Sequence, residues 1–113
     1  MMQFAFYQLT TCKLESILKL SKLDCLSMII ASMCHDLGHD GFTNSYHVNA
    51  ITERAIDSND TSVQESFHAA ELFRILNQDE HNFLERLSLQ EFKIFRKRAT
   101  GLILSTDMAQ HAA

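Results

Sequence analysis

Residues 34–49, CHDLGHDGFTNSYHVN, hold three of the six histidines and two of the three glycines in a chain of 113 residues without proline. Imidazole nitrogen and carboxylate oxygen together are the donors that zinc, manganese and iron accept, and a carboxylate also serves magnesium. His35 and Asp36 are adjacent, and His39 follows four residues later. In an unbroken helix His35 and His39 share a face, whereas neighbours such as His35 and Asp36 point about 100° apart. The doublet therefore meets one ion only where the backbone bends, and Gly38 and Gly41 allow the bend. Two explanations compete. The histidine and aspartate are an ordinary hydrogen-bonded pair where a helix stops, or the helix end holds a metal. An isolated doublet favours the first. The addition of His39 and Asn44, each a polar residue needing its own explanation beside an apolar segment, favours the second.

The elements that must carry these residues read as helices. Leu14, Ile17, Leu18 and Leu20, then Leu26, Ile29, Ile30 and Met33, recur at spacings of three and four. Asp24 suits the N-cap of the second of these helices, and the run MIIASMC before His35 is expected in the core. Ser62-Val63-Gln64-Glu65 and Ser88-Leu89-Gln90-Glu91 both carry the capping-box signature of serine followed three residues later by glutamate. Amphipathic runs follow each, with Phe67, Ala70, Leu72, Phe73, Ile75 and Leu76 in one and Phe92, Ile94, Phe95, Leu102, Ile103 and Leu104 in the other. NQDEHNFLERL between them predicts a turn and a short helix. The fold class is thus all-α, in one packing unit over residues 1–113, with no linker composition to divide it.

Ten Lys and Arg against fourteen Asp and Glu give a formal charge of -4, which provides no broad cationic field for nucleic acid. Lys93, Arg96, Lys97 and Arg98 read as a solvated helix face. The three cysteines, Cys12, Cys25 and Cys34, are odd in number and form no CxxC pair, so a reducing compartment fits and a disulfide framework does not. No apolar run is long enough to span a bilayer, and a cytoplasmic location is expected, with membrane attachment through a segment outside residues 1–113 left open. Composition leaves the oligomeric state open.

His35-Asp36-Leu37-Gly38-His39-Asp40-Gly41-Phe42-Thr43-Asn44 resembles the HDxxHxGxxN signature of the class I cyclic nucleotide phosphodiesterases, which are HD metal-dependent phosphohydrolases. Asn59-Asp60-Thr61-Ser62-Val63-Gln64-Glu65 resembles that family's NDxSVLE stretch. His68 stands at the second histidine of its next pair, and Ser105-Thr106-Asp107-Met108 with His111 resembles its ATDMxxH segment. The resemblance implies a multi-helix domain that hydrolyses cAMP or cGMP to 5′-monophosphates with two divalent ions, zinc and magnesium or manganese. It further implies His35 and Asp36 as ligands of the tightly held ion, with Asp36 reaching the second. His39 would stand beside the second ion, and Glu65 would accept hydrogen bonds from metal-bound water, a role that competes with capping. His68 and Asp107 would orient ligands and water, while Asn44, Asp60, Thr106 and His111 would support the site from further out. His47 and His81 match nothing catalytic and read as surface residues.

The sequence departs from the pattern in several places. Asp40 stands where proline is usual, and Ser66-Phe67 replace Asn-His. Residues 1–34 contain no HNxxH segment, which in the family supplies the proton donor and a first metal ligand. The later ligand aspartate and purine-clamping glutamine are likewise missing from residues 1–113. The expectation is therefore a partial catalytic domain that is inactive alone. The alternative is a non-catalytic interaction or regulatory module that keeps the fold.

Overall fold

A computed structural model describes residues 22–78 and 84–111, with side chains to residue 109. The helix expected around Leu14–Leu20, Cys12, His81 and the side chain of His111 lie outside it. Every regular element among the described residues is helical: α1 (Lys22–Cys34), α2 (Asn44–Ala50), α3 (Glu53–Ser58), α4 (Val63–Leu76), α5 (Leu89–Leu104) and a 3₁₀ turn at Met108–His111.

The three long helices follow the apolar periodicity. Ala69, Leu72, Phe73 and Leu76 form the inner stripe of α4, and Phe95, Ala99 and Ile103 that of α5. Against them pack Ile30 and Ala31 of α1. The α1–α5 contact is the most extensive, followed by α4–α5. Ala31, Ala69 and Ala99 belong to this core, and Phe73, Phe92 and Phe95 cluster with ring centroids 6.1 to 6.5 Å apart. Phe95 and Ile103 are fully buried. Burial of such a side chain contributes about 1.5–3 kcal/mol. The outer residues of the same runs, Ile75, Ile94 and Leu102, are exposed, as is Met33 at the end of α1.

Three expectations need correction or detail. Asp24 is not the N-cap of α1, since the helix already includes Lys22; it lies in the first turn, where its carboxylate meets Arg98 Nε at 2.6 Å. Lys93, Arg96, Lys97 and Arg98 are exposed as expected, with Arg96 also lying 4.8 Å from the Phe73 ring centroid. Of the short helix expected between α4 and α5, the described part is a turn closed by Leu87 N–H on Leu84 C=O.

Residues 44–58 form two short helices that no apolar stripe announces. Threonine side chains start both: Thr43 Oγ1 accepts from Tyr46 N–H at 3.1 Å, and Thr52 Oγ1 from Ala55 N–H at 3.3 Å. Left-handed residues end both, Ile51 at φ 52° and Asn59 at φ 54°. This pair of helices packs against α4. No helix among the described residues is long and apolar enough to cross a membrane.

Candidate active site

α1 stops at Cys34 and the chain turns through Gly38 at φ 73° and Gly41 at φ 86°. A side chain at Gly38 is excluded by the Phe67 ring, 2.8 Å from where a Cβ would stand. The turn brings the side chains of His35 and Asp36 together. His35 Nδ1 donates to Ser32 C=O at 2.8 Å, and Nε2 faces Asp36 Oδ2 at 3.1 Å. With one imidazole proton committed to Ser32, the Nε2 lone pair and a carboxylate oxygen confront each other, and a proton or a metal cation between them satisfies both. The 3.1 Å separation is that of a hydrogen-bonded His–Asp pair, made of donor atoms of the types that divalent metal ions accept. Among the described residues no three His, Cys, Asp or Glu side chains form a ready-made metal cage.

His68 is the buried centre of this end of the molecule, with 1% of its surface exposed. Its Nδ1 donates to Leu37 C=O at 2.6 Å, which ties α4 to the turn after α1. Its ring stacks on that of His39, with centroids 5.6 Å apart and planes at 26°. Burial pushes the His68 imidazole below its ordinary pKa, over the opposing pull of the Leu37 carbonyl and the nearby Asp36 and Glu65 carboxylates. His35, Asp36, His39, Glu65 and His68 thus belong to one region, with the Asp36 carboxylate open to solvent.

Glu65 does not close a capping box. Ser62, at φ 44°, makes no side-chain cap; its hydroxyl donates to Asp107 Oδ2 at 2.7 Å. Glu65 Oε1 instead accepts from Asn44 Nδ2 at 2.9 Å, and Asn44 Oδ1 accepts the Gln64 N–H at 2.9 Å. Asn44 thereby caps α4 from another helix. Asp107 also accepts from Ala109 N–H at 3.0 Å. It is buried and borders a cavity of about 380 Å³ with Asn44, Asp60 and Ser62. Ser62, bonded to Asp107, lies three residues before Glu65 at the start of α4. Thr106 shares a smaller cavity with His35.

His47 is not a surface residue: it is 3% exposed, with Nδ1 2.7 Å from Thr52 Oγ1 and Nε2 2.9 Å from Asp40 Oδ2. Sequence reading missed it, together with Arg54 and Gln64, because a polar residue on a short helix has no apolar periodicity to place it. The departure at Asp40 was the available signal, since an unpaired acid at that turn calls for basic partners.

A sequence model of the family described as 3′5′-cyclic nucleotide phosphodiesterase matches residues 1–113. The chain is 46% identical over 92 residues to the 3′,5′-cyclic-nucleotide phosphodiesterase regA of Dictyostelium discoideum, covering 81% of this chain and 12% of that protein. It is 40% identical over 110 residues to the human high affinity cGMP-specific 3′,5′-cyclic phosphodiesterase 9A, covering 97% and 18%. Its structure is similar to the crystal structure of the phosphodiesterase domain of the RhoPDE fusion protein from the choanoflagellate Salpingoeca rosetta. There the TM-score is 0.79 and the identity 41%, over 82% of this chain and 29% of the other. The chain thus spans less than a fifth of the length of these two curated relatives. With the HD doublet at a broken helix end, the all-helical frame and a match along its whole length, the chain belongs to the 3′,5′-cyclic nucleotide phosphodiesterase family.

Proposed function

We propose that the protein hydrolyses 3′,5′-cyclic nucleotides, cAMP or cGMP, to 5′-monophosphates in the cytoplasm, and that residues 1–113 supply part of its catalytic domain. The observation that carries this reading is the His35–Asp36 pair, whose Nε2 and Oδ2 converge to 3.1 Å while Ser32 holds Nδ1. His35 and Asp36 would hold a zinc ion, and Asp36 would extend to a magnesium or manganese ion. Bound there, such ions neutralise an anionic phosphodiester and lower the pKa of water toward neutrality.

The chain's own residues do the rest. His39, exposed and stacked on His68, would donate a hydrogen bond from Nε2 near the phosphate, since Nδ1 accepts the Gly41 N–H. Glu65, anchored by one oxygen on Asn44, keeps the other for water. His68, Asp107 and Asn44 would hold the ligands and turns in place, with His111 assigned a supporting role by the family motif alone.

The test is equilibrium dialysis of the 113-residue chain against Zn²⁺, paired with cAMP and cGMP hydrolysis by the chain and by the whole protein. Metal uptake that falls at least tenfold in His35→Ala and Asp36→Ala, with hydrolysis by the whole protein, supports the reading. Absence of both overturns it. Because no three His, Cys, Asp or Glu side chains among the described residues form a metal cage, a second reading is a non-catalytic interaction or regulatory module. Metal uptake without hydrolysis by the whole protein would select it.

A further inference from the structure

Three helices send a polar side chain to one carboxylate beside the candidate site. Asp40 Oδ1 accepts from Phe42 N–H at 3.0 Å and from Gln64 Nε2 of α4 at 2.5 Å. Its Oδ2 lies 2.9 Å from His47 Nε2 of α2 and 3.7 Å from Arg54 Nε of α3. Arg54 then reaches past Asp40. One terminal nitrogen donates to Gln64 Oε1 at 2.7 Å, and the other to Gly38 C=O at 3.1 Å. Its guanidinium carbon sits 3.5 Å from the centroid of Phe67, the ring already pressed against Gly38.

His47 and Gln64 are almost completely buried in this cluster, away from the apolar core. Burying polar groups is costly unless every partner is met, so a satisfied network here makes its surroundings rigid. What it surrounds is one residue. Gly38 is gripped through its carbonyl and Asp40 through its carboxylate, and His39 lies between them. The His39 ring is left to make two contacts, the stack on His68 and acceptance of the Gly41 N–H by Nδ1 at 2.9 Å. A lysine at position 54 is a point charge and cannot serve Gly38, Gln64, Asp40 and the Phe67 face at once.

We infer that Asp40 and Arg54 are positioning residues for His39, holding its imidazole on the face of His68 through a clamp on both of its chain neighbours. The inference rests on the proposed reading of this region as the active site.

The experiment is nuclear magnetic resonance on the 113-residue chain with isotope-labelled histidines, in the absence of metal and nucleotide. Expected are a ring-to-ring cross-peak between His39 and His68 and a His39 Nδ1 shift typical of a hydrogen-bond acceptor. Asp40→Ala and Arg54→Ala should abolish both while leaving helix content and the His35 signals unchanged, and Arg54→Lys should fail to restore them. Should the alanine variants unfold, Asp40→Asn carries the test with at least a twofold loss of cross-peak intensity. An unchanged cross-peak in the folded variants, its absence in the unsubstituted chain, or unfolding of Asp40→Asn and Arg54→Lys alike overturns the inference. Failure of metal uptake or hydrolysis would instead count against the proposed function and leave these signals as they are.

Discussion

Ser88–Glu91 and Ser62–Glu65 carry the same local instruction, and only the first is obeyed. At the start of α5, Ser88 Oγ accepts from Glu91 N–H and Glu91 Oε1 accepts from Ser88 N–H, both at 3.1 Å. That helix end faces solvent, and among the described residues no other group bonds either side chain. At the start of α4 the serine is left-handed and bonded to Asp107, the glutamate is bonded to Asn44, and Asn44 supplies the cap. A capping box contributes about 1 kcal/mol, whereas a hydrogen bond to a charged partner contributes about 1.5–3 kcal/mol. Where a partly buried ion is within reach, the tertiary partner wins and the local motif opens. The glutamate freed from capping stands beside the histidines.

The comparison can be broken most severely at Asn44. Asn44→Ala removes both the Glu65 contact and the acceptor for the Gln64 amide, and an expected loss of about 3 kcal/mol would be read by urea unfolding. A loss near that of an ordinary surface substitution would mean that α4 needs no cap from α2. Ser62→Ala should cost about 2 kcal/mol, and a double-mutant cycle with Asp107→Asn should recover most of it as coupling. If the cycle instead couples Ser62 to Glu65, the box forms in solution after all. Ser88→Ala should cost about 1 kcal/mol, coupled to Glu91 and independent of Asn44 and Asp107.

The smallest expected effects are pH slopes. The folded state holds His68 below its ordinary pKa, so its contribution to stability is full above about pH 6.5 and is lost as pH falls toward the folded value. His68→Gln should flatten that part of the curve in unfolding measured from pH 7 to pH 5. For Asp40, partial burial opposes ionisation. Hydrogen bonds from Phe42, Gln64 and His47 and the Arg54 charge outweigh it, so the carboxyl stays well below the usual range. Its contribution is present above about pH 4 and lost only on stronger acidification, an acid limb that Asp40→Asn should remove. Neither slope should change in Ser88→Ala, since neither group touches α5's cap.

Much of the frame was legible in order of residues. Spacings of three and four marked α1, α4 and α5, because burying one stripe of each helix requires them, and Ser88 announced its own helix. The short helices α2 and α3 were not, since their polar sequences give no periodic signal and only Thr43 and Thr52 hint at starts. His47 was misread for the same reason: a histidine's burial depends on what lies opposite, and Asp40, Thr52 and Gln64 come from three different segments.

By itself, the sequence determined the helical frame and the adjacency of His35 and Asp36, with glycines three and six residues after His35, because these follow from backbone geometry over a few residues. Only the tertiary structure decided the partners of Ser62, Glu65 and Asp40. Their hydrogen bonds reach over 21 to 45 residues, and the choice among competing donors depends on which groups packing leaves dry and close.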